Sequence, residues 1–268
     1  MTAIRRRTLA ALTVVAGLAL AGCASAPAAP DVASPTPTAS GSELSGDLTI
    51  FAAASLSGAF DELATEFEKL HPDLDVAPIS YDGSSVLATQ LLGGAAVDVF
   101  ASADEKNMAK VTDGALATEA VPFATNTLEI AVAPGNPNRI SSLQGLAAPG
   151  LTVVVCAAEV PCGSAAQKLL TAANVTLTPA SEEQNVTAVL TKVKSGEADA
   201  GLVYRTDVTA AGDAVTGVEI DGADAATNVY PITALTGAPN PEAARAFVSF
   251  VLSADGQRVL KSFGFGAP

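Results

Sequence analysis

Two stretches of the chain place hydroxyl side chains where a ligand could be held. Residues 47–57 read DLTIFAAASLS, an apolar run that collapses into three alanines before Ser55. Residues 81–87 read YDGSSVL, with Ser84 and Ser85 directly after Gly83. Small side chains let a ligand approach the backbone, and a serine adds an O–H donor. The chemistry on offer is the holding of an anion by uncharged donors. Nucleophilic catalysis by a serine is the competing chemistry, and it needs a base. His71 is the lone histidine and falls in a His71-Pro72-Asp73 turn, where it reads as a solvent-exposed loop residue. No G-x-S-x-G elbow is present, and no lysine neighbours Ser55 or Ser84.

The elements around these residues decide what they can do. Leu48, Ile50 and Phe51 read as a strand, and Phe60, Leu63, Phe67 and Leu70 as one face of a helix. Ser55 then sits at a strand-to-helix junction, where unpaired N–H groups and the positive end of a helix dipole meet. A serine cap closing an ordinary turn is the other reading of that position. Residues 74–80 read as a second strand, and Gly83-Ser84-Ser85 opens a helix ended by Gly93-Gly94. Residues 97–101 form a third strand and 104–111 a third helix. This alternation implies a mostly parallel sheet covered on both faces. Ligands of such sheets sit beyond the carboxyl ends of the strands, where Ser55 and Ser84 both fall.

A second α/β set begins after the strand at 127–133. Residues 151–156 read as a buried strand, and Cys162-Gly163-Ser164 opens the next helix. Residues 175–179 read as a short strand, and Gln184-Asn185-Val186 opens a further helix. Residues 199–204 form a strand ending in Tyr204, again at a carboxyl end; a half-buried core aromatic is the alternative there. Residues 228–235 read as a strand interrupted by Pro231, an edge or crossing segment returning to the first lobe. Asn240 caps a helix over 241–252, and Ser253 caps a last helix through Leu260.

The first residues read as targeting rather than fold. Arg5, Arg6 and Arg7 precede a short apolar run from Leu9 to Leu20, which ends in Ala21-Gly22-Cys23. That ending resembles a bacterial lipobox, which implies cleavage after residue 22 and lipid on Cys23. Residues 23–46 are rich in alanine, proline, serine and threonine and read as a lipidated cysteine plus a disordered tether. Loss of residues 1–22 takes the formal charge from −14 to −17, which argues against a nucleic-acid partner. It also runs against anion binding by simple attraction. Cys156 and Cys162 remain, and an exported chain with two cysteines close in sequence pairs them; two free thiols are the alternative. A zinc site lacks ligands.

The motifs together resemble the bacterial molybdate-binding proteins of ABC importers. They are FAAASL at 51–56, GSSVLATQLLGGAAVDVFASAD at 83–104, VPCGSAAQKLL at 160–170, QNV at 184–186, GEADAGLVYRTD at 196–207 and VYPITAL at 229–235. The resemblance implies an α/β type II periplasmic-binding-protein fold. Its two lobes, 47–126 with 229–268 and 127–228, each hold a mostly parallel sheet flanked by helices, with the ligand in the cleft. It implies an oxyanion held by the hydroxyls of Ser55, Ser84 and Tyr204 and the backbone N–H groups of Cys162 and Val186, with Ser85 the competitor of Ser84. The ligand is then the molybdenum oxyanion, not a bare metal cation. The implied protein is no enzyme and carries no cofactor. It is an extracytoplasmic, lipid-anchored monomer that captures molybdate, with tungstate as a second ligand, and delivers it to the permease and ATPase of an importer. A binder of another tetrahedral oxyanion such as sulfate is the alternative. A purely structural surface lipoprotein would show no ligand-induced closure.

Overall fold

A computed structural model of the chain describes residues 43–268. The signal segment, Cys23 and all but the end of the tether lie outside the described residues. In chain order the elements are β1 (Gly46–Leu48), β2 (Ile50–Ala53), α1 (Ser57–Leu70), β3 (Leu74–Val76), β4 (Ser80–Asp82) and α2 (Ser84–Leu92). Then come β5 (Val99–Ala101), α3 (Glu105–Asp113), β6 (Val121–Asn126) and β7 (Leu128–Val132). The next are β8 (Val153–Cys156), α4 (Pro161–Ala172), β9 (Ser181–Glu183), α5 (Val186–Ser195), β10 (Ala200–Tyr204), α6 (Arg205–Ala211) and β11 (Thr216–Val218). The chain ends with β12 (Asn228–Ala234), α7 (Pro241–Leu252) and α8 (Ala254–Ser262).

Two five-stranded sheets carry the two lobes, in the orders β4-β2-β5-β12-β6 and β11-β7-β10-β8-β9. In each sheet one strand opposes the rest: β12 runs antiparallel to β5 and β6, and β7 antiparallel to β10 and β11. The reason is geometric. Each is the first strand after the chain crosses between lobes, and it enters its sheet from the cleft, where the carboxyl ends of the parallel strands lie. A strand entering from that side has to run the other way. Only Thr127 separates β6 from β7, so the crossing is nearly continuous strand.

Local sequence explains most elements. α1 buries Ala59, Phe60, Leu63, Ala64 and Phe67, a helical stripe against the sheet. Phe60 and Phe67 join Phe123, Phe247 and Tyr230 in a set of tilted and edge-on ring contacts with centroids 5.3–6.3 Å apart. Asp104 caps α3 by accepting from Asn107 N–H, and Asn185 caps α5 by accepting from Ala188 N–H.

The structure corrects several sequence-based expectations. The strand expected over 74–80 is two strands: β3 pairs with β1 and β4 with β2, because Pro78 interrupts the ladder between them. Residues 175–179 are not a strand; the edge partner of β8 is the polar segment β9. Of the two readings of residues 228–235, the crossing segment returning to the first lobe holds and the edge strand does not, since β12 lies between β5 and β6. Pro231 is tolerated there because the register shifts between Tyr230 and Pro231, so its missing N–H breaks no regular pairing. Residues 43–46, expected in the tether, belong to the fold: Leu44 packs on the core, and Gly46 pairs with Leu74. His71 is half-buried, its ring 4.6 Å from that of Phe67. No described helix is long and apolar enough to cross a membrane.

Candidate functional site

The loops at the carboxyl ends of the strands converge on one small cavity. Ser55 and Ser84 reach it from the first lobe; Cys162, Val186 and Tyr204 reach it from the second. All five residues expected from sequence therefore line one space. Its volume is about 10 Å³ for the centre of a water-sized sphere. That is close to the least that holds one water.

Each residue arrives by a local rule. Ser55 lies in a single 3-10 turn between β2 and α1. Its Oγ is 3.0 Å from the hydroxyl of Tyr230. Ser84 is the first residue of α2 and fully buried; its Oγ accepts from Ala103 N–H at 2.9 Å, leaving its own O–H for the cavity. Ser85 does not line the cavity, because one step along a helix turns a side chain by about 100°; its buried Oγ has no hydrogen-bond partner. Cys162 and Val186 lie in the first turns of α4 and α5, where N–H groups have no intrahelical acceptor. Cys162 is paired with Cys156, their Cα atoms 5.7 Å apart, across the loop that feeds α4. A side chain at Gly163 would collide with Ala157 O at 1.9 Å, so only glycine lets α4 start this close to that loop. Tyr204 is 1 % exposed, and its hydroxyl has no hydrogen-bond partner. A buried, unpaired phenol facing a cavity is a donor held ready for a ligand.

The lobes meet around the cavity. Asp82 Oδ1 accepts from Gly83 N–H at 2.7 Å and, across the cleft, from Asn185 Nδ2 at 2.8 Å. Asn107 Nδ2 donates to Glu159 O at 3.3 Å, a second bond between lobes. The site contains no lysine or arginine, and no described cluster of His, Cys, Asp or Glu could hold a metal cation. Asp82, Asn126 and Tyr230 were not singled out from the sequence. A tyrosine in a strand next to proline carries no local mark of a ligand site, and Asp82 only gains meaning from Asn185, far along the chain.

A sequence model of the family described as bacterial extracellular solute-binding protein matches residues 48–266. The chain belongs to this family. A relative described as the molybdate-binding protein ModA of Mycobacterium tuberculosis (strain ATCC 25618 / H37Rv) is 44% identical over 261 residues, 97% of each chain. The solved periplasmic molybdate-binding protein of Azotobacter vinelandii matches with a TM-score of 0.72 at 23% identity, over 82% of this chain and 99% of that one. The sulfate-binding protein SubI of M. tuberculosis H37Rv matches with a TM-score of 0.69 at 18% identity, over 82% and 86%. The two structural likenesses show the fold, and their different ligands show that the fold does not choose the ion.

As an extracellular solute-binding protein the chain is no enzyme, and the buried acids near its site have to be read as parts of a binding cleft. Burial pushes the Tyr204 phenol well above its ordinary range, with the neighbouring Tyr230 phenol and then the Asp104 and Asp207 carboxylates adding to the effect, so it keeps its proton. Asp207 accepts from Tyr204 N–H at 2.9 Å, which favours its charged form, but burial outweighs this and raises its pKa to about 7. Its ordinary value is 3.8. The folded state thus keeps a proton that the unfolded chain releases. The stability from this group is present below pH 3.8, declines as pH rises, and is lost above about 7. Asp207→Asn keeps an acceptor for Tyr204 N–H and cannot ionise. Its melting temperature should fall less than the parent's between pH 4 and 7; parallel curves would refute the assignment.

Proposed function

We propose that this chain captures molybdate, and tungstate as a second ligand, outside the cytoplasmic membrane. The hydroxyls of Ser55, Ser84 and Tyr204 and the N–H groups of Cys162 and Val186 hold the oxyanion between the lobes. The observation that carries the reading is the convergence of these uncharged donors from both lobes on one small cavity without lysine or arginine, with the Tyr204 hydroxyl unpartnered. The relative that is 44% identical and described as molybdate-binding favours molybdate over sulfate.

The negative formal charge is compatible with this role. Oriented N–H and O–H dipoles stabilise a dianion once water is excluded, without lysine or arginine. Repulsion from surface acids is screened beyond roughly 8–10 Å at physiological salt. The ion is cargo, and no resident cofactor is needed. In the same reading the monomer is tethered through lipid on Cys23 and hands its ligand to the permease and ATPase of an ABC importer. The Cys156–Cys162 bond forms after export. Closing so short a loop is worth about 2 kcal/mol. Reductant is therefore expected to lower the melting temperature and to weaken anion binding by loosening the loop before α4. Unchanged affinity under reductant would limit the bond to stability.

A thermal-shift titration with molybdate, tungstate, sulfate and phosphate tests the function. A ligand at a hundredfold excess over Kd stabilises the folded state by about 2.7 kcal/mol, which for a domain of this size is roughly 5–11 °C. Shifts with molybdate and tungstate alone are expected. A shift with sulfate alone would keep the site and change the ion.

A further inference from the structure

One wall of the cavity carries a charge of the wrong sign for an anion. Among the described residues that line it, Asp82 supplies the one carboxylate. Asp82 ends β4, directly before Gly83 and the start of α2. Its Oδ1 accepts from Gly83 N–H at 2.7 Å, which fixes the carboxylate on its own lobe. The same oxygen accepts from Asn185 Nδ2 of the other lobe at 2.8 Å. Asn185 has both ends of its amide committed. Its Oδ1 caps α5 by accepting from Ala188 N–H at 2.9 Å, and a backbone N–H can only donate, so Nδ2 is the end that meets Asp82. The bond thus joins the strand that leads into α2 to the cap of α5, one residue before Val186.

Two effects oppose each other at this carboxylate. It repels an oxyanion held in the cavity, and exclusion of water strengthens that repulsion. It also draws the lobes together through a hydrogen bond to a charged acceptor, which is about twice as strong as a neutral one. The two differ in range. A hydrogen bond fades within a few tenths of an ångström beyond its normal length, whereas Coulomb repulsion falls only as the inverse of distance. When the lobes begin to part, the attraction is lost first and the repulsion remains. We propose that Asp82 is a release element: its bond to Asn185 latches the cleft over the anion, and its charge expels the anion once that latch opens. The inference rests on the anion-binding reading above and adds the pair that sets how long the ion is held.

Two substitutions separate the two effects. Asp82→Asn keeps Oδ1 as acceptor for both N–H groups and removes the charge. Its molybdate affinity by titration calorimetry is expected to rise at least tenfold, with slower release in stopped-flow. Asn185→Ser keeps a cap on α5 but is too short to reach Asp82, so the charge stays and the latch is gone. Its affinity is expected to fall about tenfold, through faster release rather than slower capture. A residue that merely supported the fold would not divide the rates in this way, and the melting temperature without ligand reports the fold. Should Asn185→Ser fail to fold, Asn185→Asp serves: it caps α5 as well and meets Asp82 with a like charge, so the fall should be larger. An Asp82→Asn affinity no higher than the parent's, or parental release in the Asn185 variant, would overturn the proposal. Absence of binding by the parent chain to molybdate, tungstate and sulfate would instead overturn the anion-binding reading, and this inference with it.

Discussion

Gly83→Ala is expected to lower anion affinity at least a hundredfold while leaving the fold of each lobe intact. A Cβ built on Gly83 lies 2.1 Å from Gln184 O, with Gln184 C and Val160 Cγ1 both at 3.3 Å. All three atoms belong to the opposite lobe, and the nearest is backbone, which cannot rotate away. The backbone of Gly83 is at φ −60° and ψ 135°, ordinary for alanine, so nothing within its own lobe resists the change. The collision exists only when the lobes are together. A clash of this depth has to be relieved by holding them apart, which pulls the Ser55 and Ser84 hydroxyls away from the donors of Cys162, Val186 and Tyr204. A hundredfold loss corresponds to about 2.8 kcal/mol, a modest cost for such an overlap. Calorimetry gives the affinity, and the melting temperature without ligand reports the fold. An affinity within threefold of the parent would show that the lobes need not meet at Gly83 to bind.

Tyr204→Phe and Ser84→Ala should weaken binding alike and shift stability in opposite directions. Each removes one hydroxyl from the cavity, and a hydrogen bond to a charged group is worth about 1.5–3 kcal/mol, or roughly 10- to 150-fold in affinity. The hydroxyl of Tyr204 has no partner, so its removal relieves a buried polar group and should raise the melting temperature of the ligand-free chain. Ser84 Oγ is the acceptor for Ala103 N–H. Alanine there orphans a buried backbone donor, at about 1–3 kcal/mol, and should lower that temperature. Binding function and folding stability thus trade against each other at Tyr204 and coincide at Ser84. A Tyr204→Phe variant that is destabilised and binds as tightly as the parent would make Tyr204 a core residue.

The legible parts of this protein were those written in short-range signals. Three alanines before Ser55, a glycine before Ser84, and Asn185 before Val186 each mark a strand giving way to a helix, and such junctions expose N–H groups wherever they occur. Sheet handedness and strand order then bring junctions of one lobe to one edge. The illegible parts depend on partners distant in the chain. β9 went unassigned in the sequence because its pairing with β8, not its own side chains, makes it a strand. Pro231 reads as an edge signal because the bulge that accommodates it is a relation between β12 and β6.

Sequence by itself determined which residues could donate to an anion and which elements carry them, since propensity, capping and helix termini act within a few residues. Tertiary structure alone decided three further things. It placed Ser84, and not Ser85, in the lining of the cavity, because helix rotation relative to the cavity is set by packing. It brought Gly83 against Gln184 and Asp82 against Asn185, because closure is a contact between lobes. It also set the Ser55 Oγ 3.0 Å from the hydroxyl of Tyr230, 175 residues away in the chain, a contact that no local signal marks.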